Sequence, residues 1–513
     1  MNFDNLFYYK KPAKVNAGKI IVTDVCVYGG VSSGVIAALQ LKRLGHSVVL
    51  AAFGRHLGGM TSGGLGATDI GNKQAIGGLS RQFYKDLGAH YGTAENWVFE
   101  PHVAEAIFNR YLAEADVPVY LEQHLESVTK DGNRIVELAM EDGTIYRARY
   151  FIDASYEGDL MAKAGVRYAV GRESNAAYDE TYNGVHFGHP NHNFNQFVDP
   201  YKTPGDPGSG LCLGISADNP GRQGDGDHRV QAYNFRVCLT DKPEIRVPFP
   251  KPPGYDPERY QLLARYLNAG TWDALQLTVR MPNGKTDTNN FGGFSSDNIG
   301  RNYDWPDGSY ALRETIFQDH VSYNLGMLYF LANDPSVPER VRNEARQWGL
   351  PKDEFTTTGN WPHELYIREA RRMISDYVMT EHNVVGRDLV TDSIGLAAYG
   401  MDSHNCHRVV QGGRVYNEGN VEIHGFQPYP VSYRSIRPLE SECANLLVPW
   451  CVSSTHIAFG SIRMEPVGMV LGQSAAFAAA LALKGNCPVQ QISVKELQDQ
   501  LRRAGQIIDP AQK

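Results

Sequence analysis

His456 is the residue of this chain whose type and position suggest catalysis most directly. It ends the Ser-Ser-Thr-His sequence of residues 453–456, shortly before a stretch rich in glycine and alanine. A neutral imidazole in such a place can accept the proton of a substrate hydroxyl group while the neighbouring carbon is oxidised. The alternative interpretation is a structural histidine that is held by hydrogen bonds to its neighbours.

Two further side chains are candidates for the same chemistry. Arg463 could stabilise the negative charge of an alkoxide or of a reduced cofactor, and its alternative role is an ion pair with Glu465. Tyr433 is the third catalytic candidate, because together with Arg434 it lies in a segment that is typical of a substrate-binding loop. A purely structural role for Tyr433 and Arg434 is equally open.

The histidine-rich segments raise the question of a metal site. His186, His189 and His192 have a spacing that could supply ligands, and residues 404–407 hold two more histidines. The asparagine, proline and glycine residues between them favour surface or substrate-loop histidines instead. The seven cysteines include no Cys-x-x-Cys pair, which argues against structural zinc and against a dithiol redox centre. We therefore predict no metal, and free thiols in a reducing compartment.

The elements that would position these side chains begin with a strand, a glycine-rich turn and a helix. Residues 24–28 predict the strand, residues 29–34 the turn, residues 35–44 the helix and residues 48–52 a second strand. Such a βαβ unit binds the diphosphate of a dinucleotide at the start of its helix. Val31 replaces the usual middle glycine, and the second strand lacks the acidic residue that usually binds the ribose. A turn built of glycines for packing alone is the alternative.

A second glycine-rich loop, Arg55 to Gly66, follows the second strand and indicates which dinucleotide is bound. Small residues let backbone N–H groups approach the ribityl chain and diphosphate of a flavin. We therefore predict FAD, although glycine pairs also form turns that bind nothing, and an arginine without an acid is an NADP-like pattern. His56 offers a point of covalent attachment, whereas we expect noncovalent FAD.

The last third of the chain returns to a strand, at residues 445–449, and a long helix. From Glu465 onward this helix would direct its positive end at the N1–C2=O edge of the flavin. Asp153 ends an earlier strand, and it either contacts the cofactor or caps the next helix. The predicted cofactor-binding residues are Gly29, Gly30, Ser33, Gly34, Arg55, Gly58, Gly59, Met60, Thr61, Ser62, Gly63, Gly64, Asp153, Gly158, Glu465, Gly468 and Met469.

Other segments have the patterns of ordinary helices and strands. The predicted strands are residues 119–121, 125–129, 135–140, 144–149 and 151–155. The predicted helices are residues 79–91, 101–115, 313–332, 363–378 and 492–503. Arg368 to Arg372 have the i,i+3 and i,i+4 charge spacing of an ion-paired helix face. Residues 172–310 predict long loops over a mixed sheet.

Taken together, these motifs resemble the bacterial FAD-dependent oxidoreductases of the glutathione-reductase-like superfamily, whose members are sometimes labelled xanthan lyase. The matching stretches are residues 28–30, 55–66, 153–165, 171–173, 365–372, 429–435 and 446–480. The resemblance implies an α/β fold in which a discontinuous, Rossmann-like FAD-binding domain of glutathione-reductase type carries an inserted, mixed α+β substrate domain. It implies no settled substrate.

The domain boundaries that we expect follow from this arrangement. The first part of the FAD-binding domain covers residues 20–170, and the substrate domain with its long loops and helices covers residues 171–385. The second part of the FAD-binding domain covers residues 386–485. A C-terminal helix and tail form residues 486–513.

The composition, 42% apolar and 21% charged residues, is that of an ordinary soluble globular protein. A net charge of −8 argues against nucleic acid as a partner, because phosphate binding needs a basic face. Residues 1–19 lack the apolar core of a signal peptide, and residues 469–483 are too short and too interrupted for a membrane span. We expect a small-molecule substrate, no membrane partner and a cytoplasmic location, and a homo-oligomer stays open.

The function that these observations favour is an FAD-dependent dehydrogenase or oxidase. It would pass hydride from a small polar substrate to flavin N5, with reoxidation by O2 or another acceptor. The absence of a second dinucleotide-binding pattern and of a cysteine pair disfavours a disulfide reductase. Trp272, Trp305 and Trp361 suit a sugar or another hydroxyl or amine compound. The alternatives are a flavoprotein that catalyses a non-redox elimination or isomerisation of a carbohydrate-like substrate, and a non-catalytic polysaccharide-binding protein.

Overall fold

A seven-stranded sheet is the frame of the computed structural model, which describes residues 3–16 and 18–512. The strands are β1 (Ile20–Tyr28), β2 (Val48–Ala51), β3 (Val119–Tyr120), β4 (Leu125–Asp131), β5 (Arg134–Met140), β6 (Ile145–Asp153), β7 (Tyr168–Ala169), β8 (Val237–Thr240), β9 (Arg246–Val247), β10 (Arg280–Met281), β11 (Lys285–Thr288), β12 (Leu350–Pro351), β13 (Arg372–Met373), β14 (Ser393–Ala397), β15 (Met401–Ser403), β16 (His407–Gln411), β17 (Arg414–Glu418), β18 (Val421–Ile423), β19 (Tyr429–Ser432) and β20 (Leu446–Leu447).

The helices surround this sheet and the smaller ones. They are α1 (Ser32–Arg43), α2 (Met60–Gly63), α3 (Gly78–Tyr91), α4 (Pro101–Glu114), α5 (Asp159–Lys163), α6 (Asn175–Tyr178), α7 (Gln261–Asn268), α8 (Tyr310–Asn333), α9 (Glu339–Ala345), α10 (Glu381–Val384), α11 (His456–Ile462), α12 (Glu465–Gly485) and α13 (Val494–Arg503). Short 3-10 helices occur at Lys73–Ala75, Pro207–Ser209, Pro257–Tyr260, Pro282–Gly284, Thr356–Thr358, Tyr433–Ile436 and Val489–Gln491.

The large sheet is mostly parallel. Its parallel strands lie in the order β3-β2-β1-β6, and β20 also pairs with β6 in parallel. β5 and β4 extend the sheet by antiparallel pairing beside the first half of β6. The register places Tyr28 of β1 beside Ala51 of β2 and Asp153 of β6. The carboxyl ends of these three strands therefore meet at one edge, which is where ligands bind in sheets of this kind.

Segments that are distant in sequence complete the frame. β20 joins the sheet beside β6, and α12 packs against α1. A Cβ atom on Gly472 of α12 would lie 2.2 Å from the backbone oxygen of Ser33, so the close approach of these helices requires glycine. The predicted α/β class is confirmed, whereas the division into domains stays a prediction.

α12 is long and apolar enough to cross a membrane by length and composition, with a mean hydropathy of 1.6 over the tested window. However, 94% of this window is buried inside the protein. Its apolar residues thus pack in the core against α1, α3 and β14.

Many of the predicted elements are found. α1, α3, α4, α8 and α13 lie where the sequence predicts helices, and β3, β4 and β5 lie where it predicts strands. Residues 145–153 form one continuous strand where two were predicted. Residues 172–310 hold the predicted long loops, together with the antiparallel sheet β10-β11-β8 and the helix α7.

The predicted helix at residues 363–378 is wrong. This segment is extended, and its strand β13 pairs with β7. Arg368, Glu369 and Arg372 are fully buried instead of lying on a solvated helix face. Their charges have partners from distant segments, such as Asp297 beside Arg368 and Glu173 beside Arg372. Tertiary ion pairs have overridden a local pattern that favours a helix.

Candidate functional site

A cleft with a volume of about 80 Å³ lies at the carboxyl ends of β1, β2 and β6. The glycine-rich turn contributes Gly29 and Gly30 to its wall, and the segment after β2 contributes Arg55. Residues 155–157, which follow β6, also line the cleft, and so does Glu364. The cleft thus lies where a parallel sheet with this strand order binds nucleotides.

The turn and the glycine-rich loop are hydrogen bonded to each other. The Gly58 N–H donates to the Gly30 carbonyl at 2.8 Å, so the loop folds back over the turn. A Cβ atom on Gly59 would lie 2.8 Å from the Cβ of Val31 and 2.1 Å from the Tyr156 hydroxyl. Val31 at the middle glycine position is therefore accommodated because the residues that face it are themselves glycine.

Val31, which precedes α1, lines the cleft, so the start of this helix lies beside it. No described side chain caps this helix, and its first turn carries no acidic residue. The Ser33 hydroxyl is buried and has no hydrogen-bond partner within residues 3–16 and 18–512. A Cβ atom on Gly34 would lie 2.0 Å from the Gly29 carbonyl, so glycine is needed where α1 leaves the turn. An uncapped helix start with an unpaired hydroxyl fits the diphosphate of the predicted FAD.

Glu465, the first residue of α12, joins the parts of this site. Its carboxylate accepts hydrogen bonds from the hydroxyl groups of Ser32 at 2.5 Å, Thr61 at 2.7 Å and Tyr156 at 2.7 Å. Burial raises the pKa of Glu465 above its usual value. α1, the glycine-rich loop and the segment after β6 are thereby held together at the start of α12.

Acidic side chains reach the cleft from positions other than the end of β2. Glu157 and Glu364 both line it. Tyr8 stacks on Phe53 with 4.6 Å between ring centres and donates a hydrogen bond to Glu157. Burial and the nearby Glu157 carboxylate raise the pKa of Glu364 to about 8, so this carboxyl group is protonated at neutral pH. The sequence does not indicate either residue, because neither belongs to the motif around β2.

The N-terminal segment and two histidines border the same cleft. The Arg55 guanidinium lies 4.1 Å from the ring centre of Phe7 and donates to the Asn5 carbonyl. His56 is stacked on His363 with 3.9 Å between ring centres. Its Nδ1 lies 2.8 Å from a carboxylate oxygen of Glu105. A covalent bond between His56 and the cofactor is not needed to explain this arrangement, and the expectation of noncovalent FAD stays a prediction.

A second cavity, of about 10 Å³ and thus large enough for about one water molecule, lies beside the cleft. The two spaces are lined by consecutive residues of the same segments. Gly59 and Leu365 border the cleft, whereas Met60 and Tyr366 border the second cavity. Glu465 lies at the other side of the second cavity. The loop at residues 59–60 and the segment at residues 365–366 therefore connect the two spaces.

Three guanidinium groups surround Tyr366 in the second cavity. Arg368 lies 4.6 Å, Arg236 5.7 Å and Arg463 5.9 Å from the centre of its ring. The Nε atoms of Arg368 and Arg463 are buried without a hydrogen-bond partner among the described residues. Arg463 pairs with Asp402 at 3.0 Å, so the predicted alternative of an ion pair with Glu465 is wrong.

Asp69 is the acidic residue of this cavity that is most open. One third of its side chain is exposed, and its carboxylate lies 3.3 Å from an Arg236 nitrogen. Glu465, in contrast, is saturated by three hydroxyl groups. Burial raises the pKa of Asp69, and the Arg236 charge opposes this shift. The sequence analysis missed Asp69 because it lies in a short loop without a recognisable motif.

His456 lines neither the cleft nor the second cavity. Its Nδ1 lies 2.6 Å from Glu369, and its Nε2 lies 2.9 Å from the Ser403 hydroxyl. Burial and the charge of Arg372 lower the pKa of His456 to about 3, so the ring is neutral. Both ring nitrogens are thus engaged inside the protein. A role as base stays a prediction, and the geometry favours the structural alternative.

Tyr433 and Asp153 have partners that suggest structural roles. The Tyr433 hydroxyl donates to the Val489 carbonyl at 2.7 Å, away from both spaces, while the neighbouring Arg434 pairs with Asp392. The Asp153 carboxylate accepts from the backbone N–H of Met161 in α5 at 2.8 Å. This contact favours the interpretation of Asp153 as a residue that fixes the start of the next helix.

The remaining predicted cofactor residues are not among those that line the cleft or the second cavity. Ser62 donates to the Leu57 carbonyl inside the glycine-rich loop. A Cβ atom would meet the Phe108 ring at Gly58, the Glu364 side chain at Gly63, the Arg236 carbonyl at Gly64, Met161 at Gly158 and the Trp450 ring at Gly468. Met469 is fully buried within α12. Their direct contact with the cofactor stays a prediction.

Possible metal ligands have other partners. Glu100, His102 and Glu354 lie close enough to share an ion. However, the Lys285 ammonium group lies 2.6 Å from Glu100 and 2.7 Å from Glu354. A lysine that already supplies the positive charge leaves little reason for a cation there. In the histidine-rich segment, His192 lies 3.2 Å from Glu422.

Comparisons with known proteins agree with a flavin site. A family model described as FAD dependent oxidoreductase matches residues 24–501. Among solved structures, the chain is similar to the flavin-dependent brominase Bmp2, with 17% identity over 30% of this chain and 42% of that chain, and a TM-score of 0.23. It is similar to THI4 of Thermovibrio ammonificans, with 19% identity, coverage of 31% and 71%, and a TM-score of 0.23.

A third similar structure is L-proline dehydrogenase from P. horikoshii, with 15% identity, coverage of 30% and 58%, and a TM-score of 0.24. The chain thus spans less than half of the length of the brominase. TM-scores of this size carry no argument about the arrangement or activity of this chain. No curated protein matches the sequence.

Proposed function

We propose that this chain, which belongs to the FAD-dependent oxidoreductase family and is an FAD-dependent enzyme, oxidises a small polar substrate at a carbon that bears a hydroxyl or amino group. Sugars and related polyhydroxylated compounds are the first candidates. The observation that carries the proposal is the adjacency of two sites: a nucleotide-type cleft lies beside a small cavity that is lined by Asp69, Tyr366 and Arg463.

The residues present fit the cofactor. The start of α1 with Ser33 would hold the diphosphate, and Glu465 with Thr61 would face the chain that leads to the flavin ring. FAD held there would supply a two-electron acceptor for hydride at N5, with O2 or another acceptor as the final oxidant. Support for a discontinuous domain of glutathione-reductase type comes from β20 beside β6 and from α12 against α1.

Asp69 is the residue that we propose as the base. Its carboxylate is partly open to the cavity, and its raised pKa brings it nearer to neutral pH, where a general base works best. It would accept the proton of the substrate hydroxyl or ammonium group as the neighbouring carbon is oxidised. Tyr366, which accepts a hydrogen bond from Arg463 at 3.3 Å, would orient the same substrate oxygen or nitrogen with its hydroxyl group.

Anaerobic mixing of the FAD-loaded protein with a panel of sugars, hydroxy acids and amines tests this function. We expect one class of compound to bleach the oxidised flavin absorbance. In Asp69→Asn, bleaching should be at least about 100-fold slower, as for loss of a general base, with FAD content unchanged. Asp116→Asn, at a fully exposed carboxylate, is the matched control.

Two outcomes would contradict the proposal. Product formation without bleaching would favour the non-redox elimination or isomerisation instead. Equal rates in the wild type and in Asp69→Asn, combined with a large loss in His456→Ala, would return the role of base to His456.

A further inference from the structure

Arg408 differs from the other deeply buried arginines in having no acidic partner. Only 4% of its surface is exposed. Each of the other arginines with at most 6% exposure forms an ion pair with a carboxylate, namely Arg172, Arg236, Arg313, Arg368, Arg372 and Arg463. Among residues 3–16 and 18–512, no carboxylate forms a salt bridge with Arg408. A buried charge without a partner is unfavourable and requires an explanation.

Neutral groups hold two of the three nitrogens of this guanidinium. Nε donates to the Asn417 side chain at 2.9 Å, and Nη2 lies 3.4 Å from the Gly293 carbonyl. The Phe294 ring centre lies 5.0 Å from the guanidinium carbon. The Tyr323 hydroxyl group is a further hydrogen-bonding partner, and the charge of Asp297 acts on the guanidinium without forming a salt bridge with it. Nη1 lies 3.4 Å from the position of a Cβ atom on Gly214. The guanidinium is therefore held by neutral groups and not by a paired carboxylate.

Arg408 lines a cavity of about 250 Å³, separate from the cleft and from the cavity around Tyr366. Arg259 and Arg301 also line it, and so does Asp319. Asp319 lies 3.0 Å from Arg259 and 3.6 Å from Arg301, so its single charge is shared by two guanidinium groups. With Asp256 as the other lining acid, positive groups exceed negative ones in this cavity.

We propose that this cavity binds the carboxylate or phosphate group of a small ligand, with Arg408 as the anchoring residue. A planar guanidinium matches both groups through paired hydrogen bonds. Asn298 contributes an amide to the wall of this cavity. The preceding residue, Asp297, pairs with Arg368, which lines the second cavity around Tyr366. The anion is thus either a remote charged group of the substrate or a separate regulatory ligand; the shared chemistry is an oxyanion.

Thermal unfolding of the FAD-loaded protein with inorganic phosphate or with acetate tests the site, with sodium chloride at equal ionic strength as the reference. A ligand that binds only the native state raises the melting temperature in proportion to its affinity. We expect a rise with phosphate or acetate in the wild type and a loss of at least tenfold in anion affinity in Arg408→Gln. Because Arg408→Gln also removes the hydrogen bond to Asn417, the anion-induced shift of each protein is measured against its own melting temperature without added anion.

Asp319→Asn supplies a test that misfolding cannot imitate. It removes the negative charge beside Arg259 and Arg301 while it keeps the side-chain shape, so anion affinity should rise severalfold. Arg502→Gln, at an exposed arginine, should leave anion binding unchanged. An equal anion effect in the wild type and Arg408→Gln, or no effect of phosphate and acetate beyond that of chloride, would overturn the proposal.

The kinetics of flavin bleaching distinguish the two sources of the anion. Competition between phosphate or acetate and the substrate would identify the site as a subsite for a charged substrate group. Anion binding that leaves substrate affinity unchanged would identify a separate ligand. Failure of the proposed oxidation would leave the melting experiment unaffected, so the two proposals fail independently.

Discussion

Two neighbouring regions of this molecule are built in opposite ways. We call residues 29–34 and 58–64 the glycine cradle, and residues 365–373 the arginine segment. In the glycine cradle, backbone packs directly on backbone, as where the Gly58 N–H donates to Gly30. In the arginine segment, charged side chains are buried, and the partners of Arg368 and Arg372 include residues from distant parts of the chain. The glycine cradle is recognisable locally, and the arginine segment is not.

The difference shows which kind of information local sequence carries. Glycines in the cradle are required by close contacts, such as the one between Gly34 and the Gly29 carbonyl, that arise within a few residues. The conformation around Arg372 depends instead on Glu173, on the Gly171 carbonyl and on the Ser454 carbonyl. Such partners become neighbours only after the chain has folded.

We expect the largest loss of stability when a buried arginine of the arginine segment is replaced, compared with replacement of an exposed arginine. Arg372→Met leaves the Glu173 and Glu369 carboxylates without their cation, so the free energy of unfolding should fall by about 3–5 kcal/mol. Urea denaturation followed by circular dichroism measures this loss. Arg502→Met, which removes an exposed ion pair, should cost less than about 1 kcal/mol. Similar losses in both variants would contradict the comparison.

Replacing a glycine of the glycine cradle by alanine tests whether the close backbone contacts of the cradle are needed for stability and for FAD binding. In Gly34→Ala the new Cβ atom would lie 2.0 Å from the Gly29 carbonyl oxygen, and overpacking of this kind costs about 1–3 kcal/mol. The shifted helix start should also release FAD, which is measured as the flavin-to-protein absorbance ratio after gel filtration. Gly208→Ala, where the nearest atom belongs to a flexible aspartate, is the control. Full FAD retention in Gly34→Ala would show that the turn does not contact the cofactor.

Glu364 connects the two regions and makes the stability of the protein depend on pH. Its pKa is about 8 in the folded protein and lower in the unfolded chain, so the folded state holds the proton more tightly. The free energy of unfolding is therefore highest with respect to Glu364 at low pH, and it falls as the pH rises to about 8. In Glu364→Gln, the urea concentration at the unfolding midpoint should depend less on pH between about pH 5 and 8. Parallel pH profiles for the two proteins would contradict the assignment.

The smallest effect concerns the hydrogen bonds that join the glycine cradle to α12. Ser32→Ala should reduce the free energy of unfolding by about 1 kcal/mol, because Thr61 and Tyr156 continue to donate to Glu465. Combination with Thr61→Val should cost more than the sum of the single changes, since Glu465 then keeps one donor. Strict additivity in a double-mutant cycle would show that these hydroxyl groups act independently.

The sequence was informative wherever a motif is continuous in the chain. The strand, turn and helix at residues 24–44, the loop from Arg55 and the helix from Glu465 were all identified, and so was FAD. The catalytic candidates were harder to judge. His456 has the right type for a base, yet both of its ring nitrogens are engaged by Glu369 and Ser403.

The amino-acid sequence by itself determined the βαβ unit and the cofactor class, because glycine spacing and apolar strands act through neighbours in the chain. Tertiary structure alone decided which polar groups face a cavity. Asp69 and Tyr366 line the second cavity and Glu364 lines the cleft, although these residues come from segments that are distant in sequence. Burial and ion pairing depend on partners that are distant in sequence, and no local pattern records them.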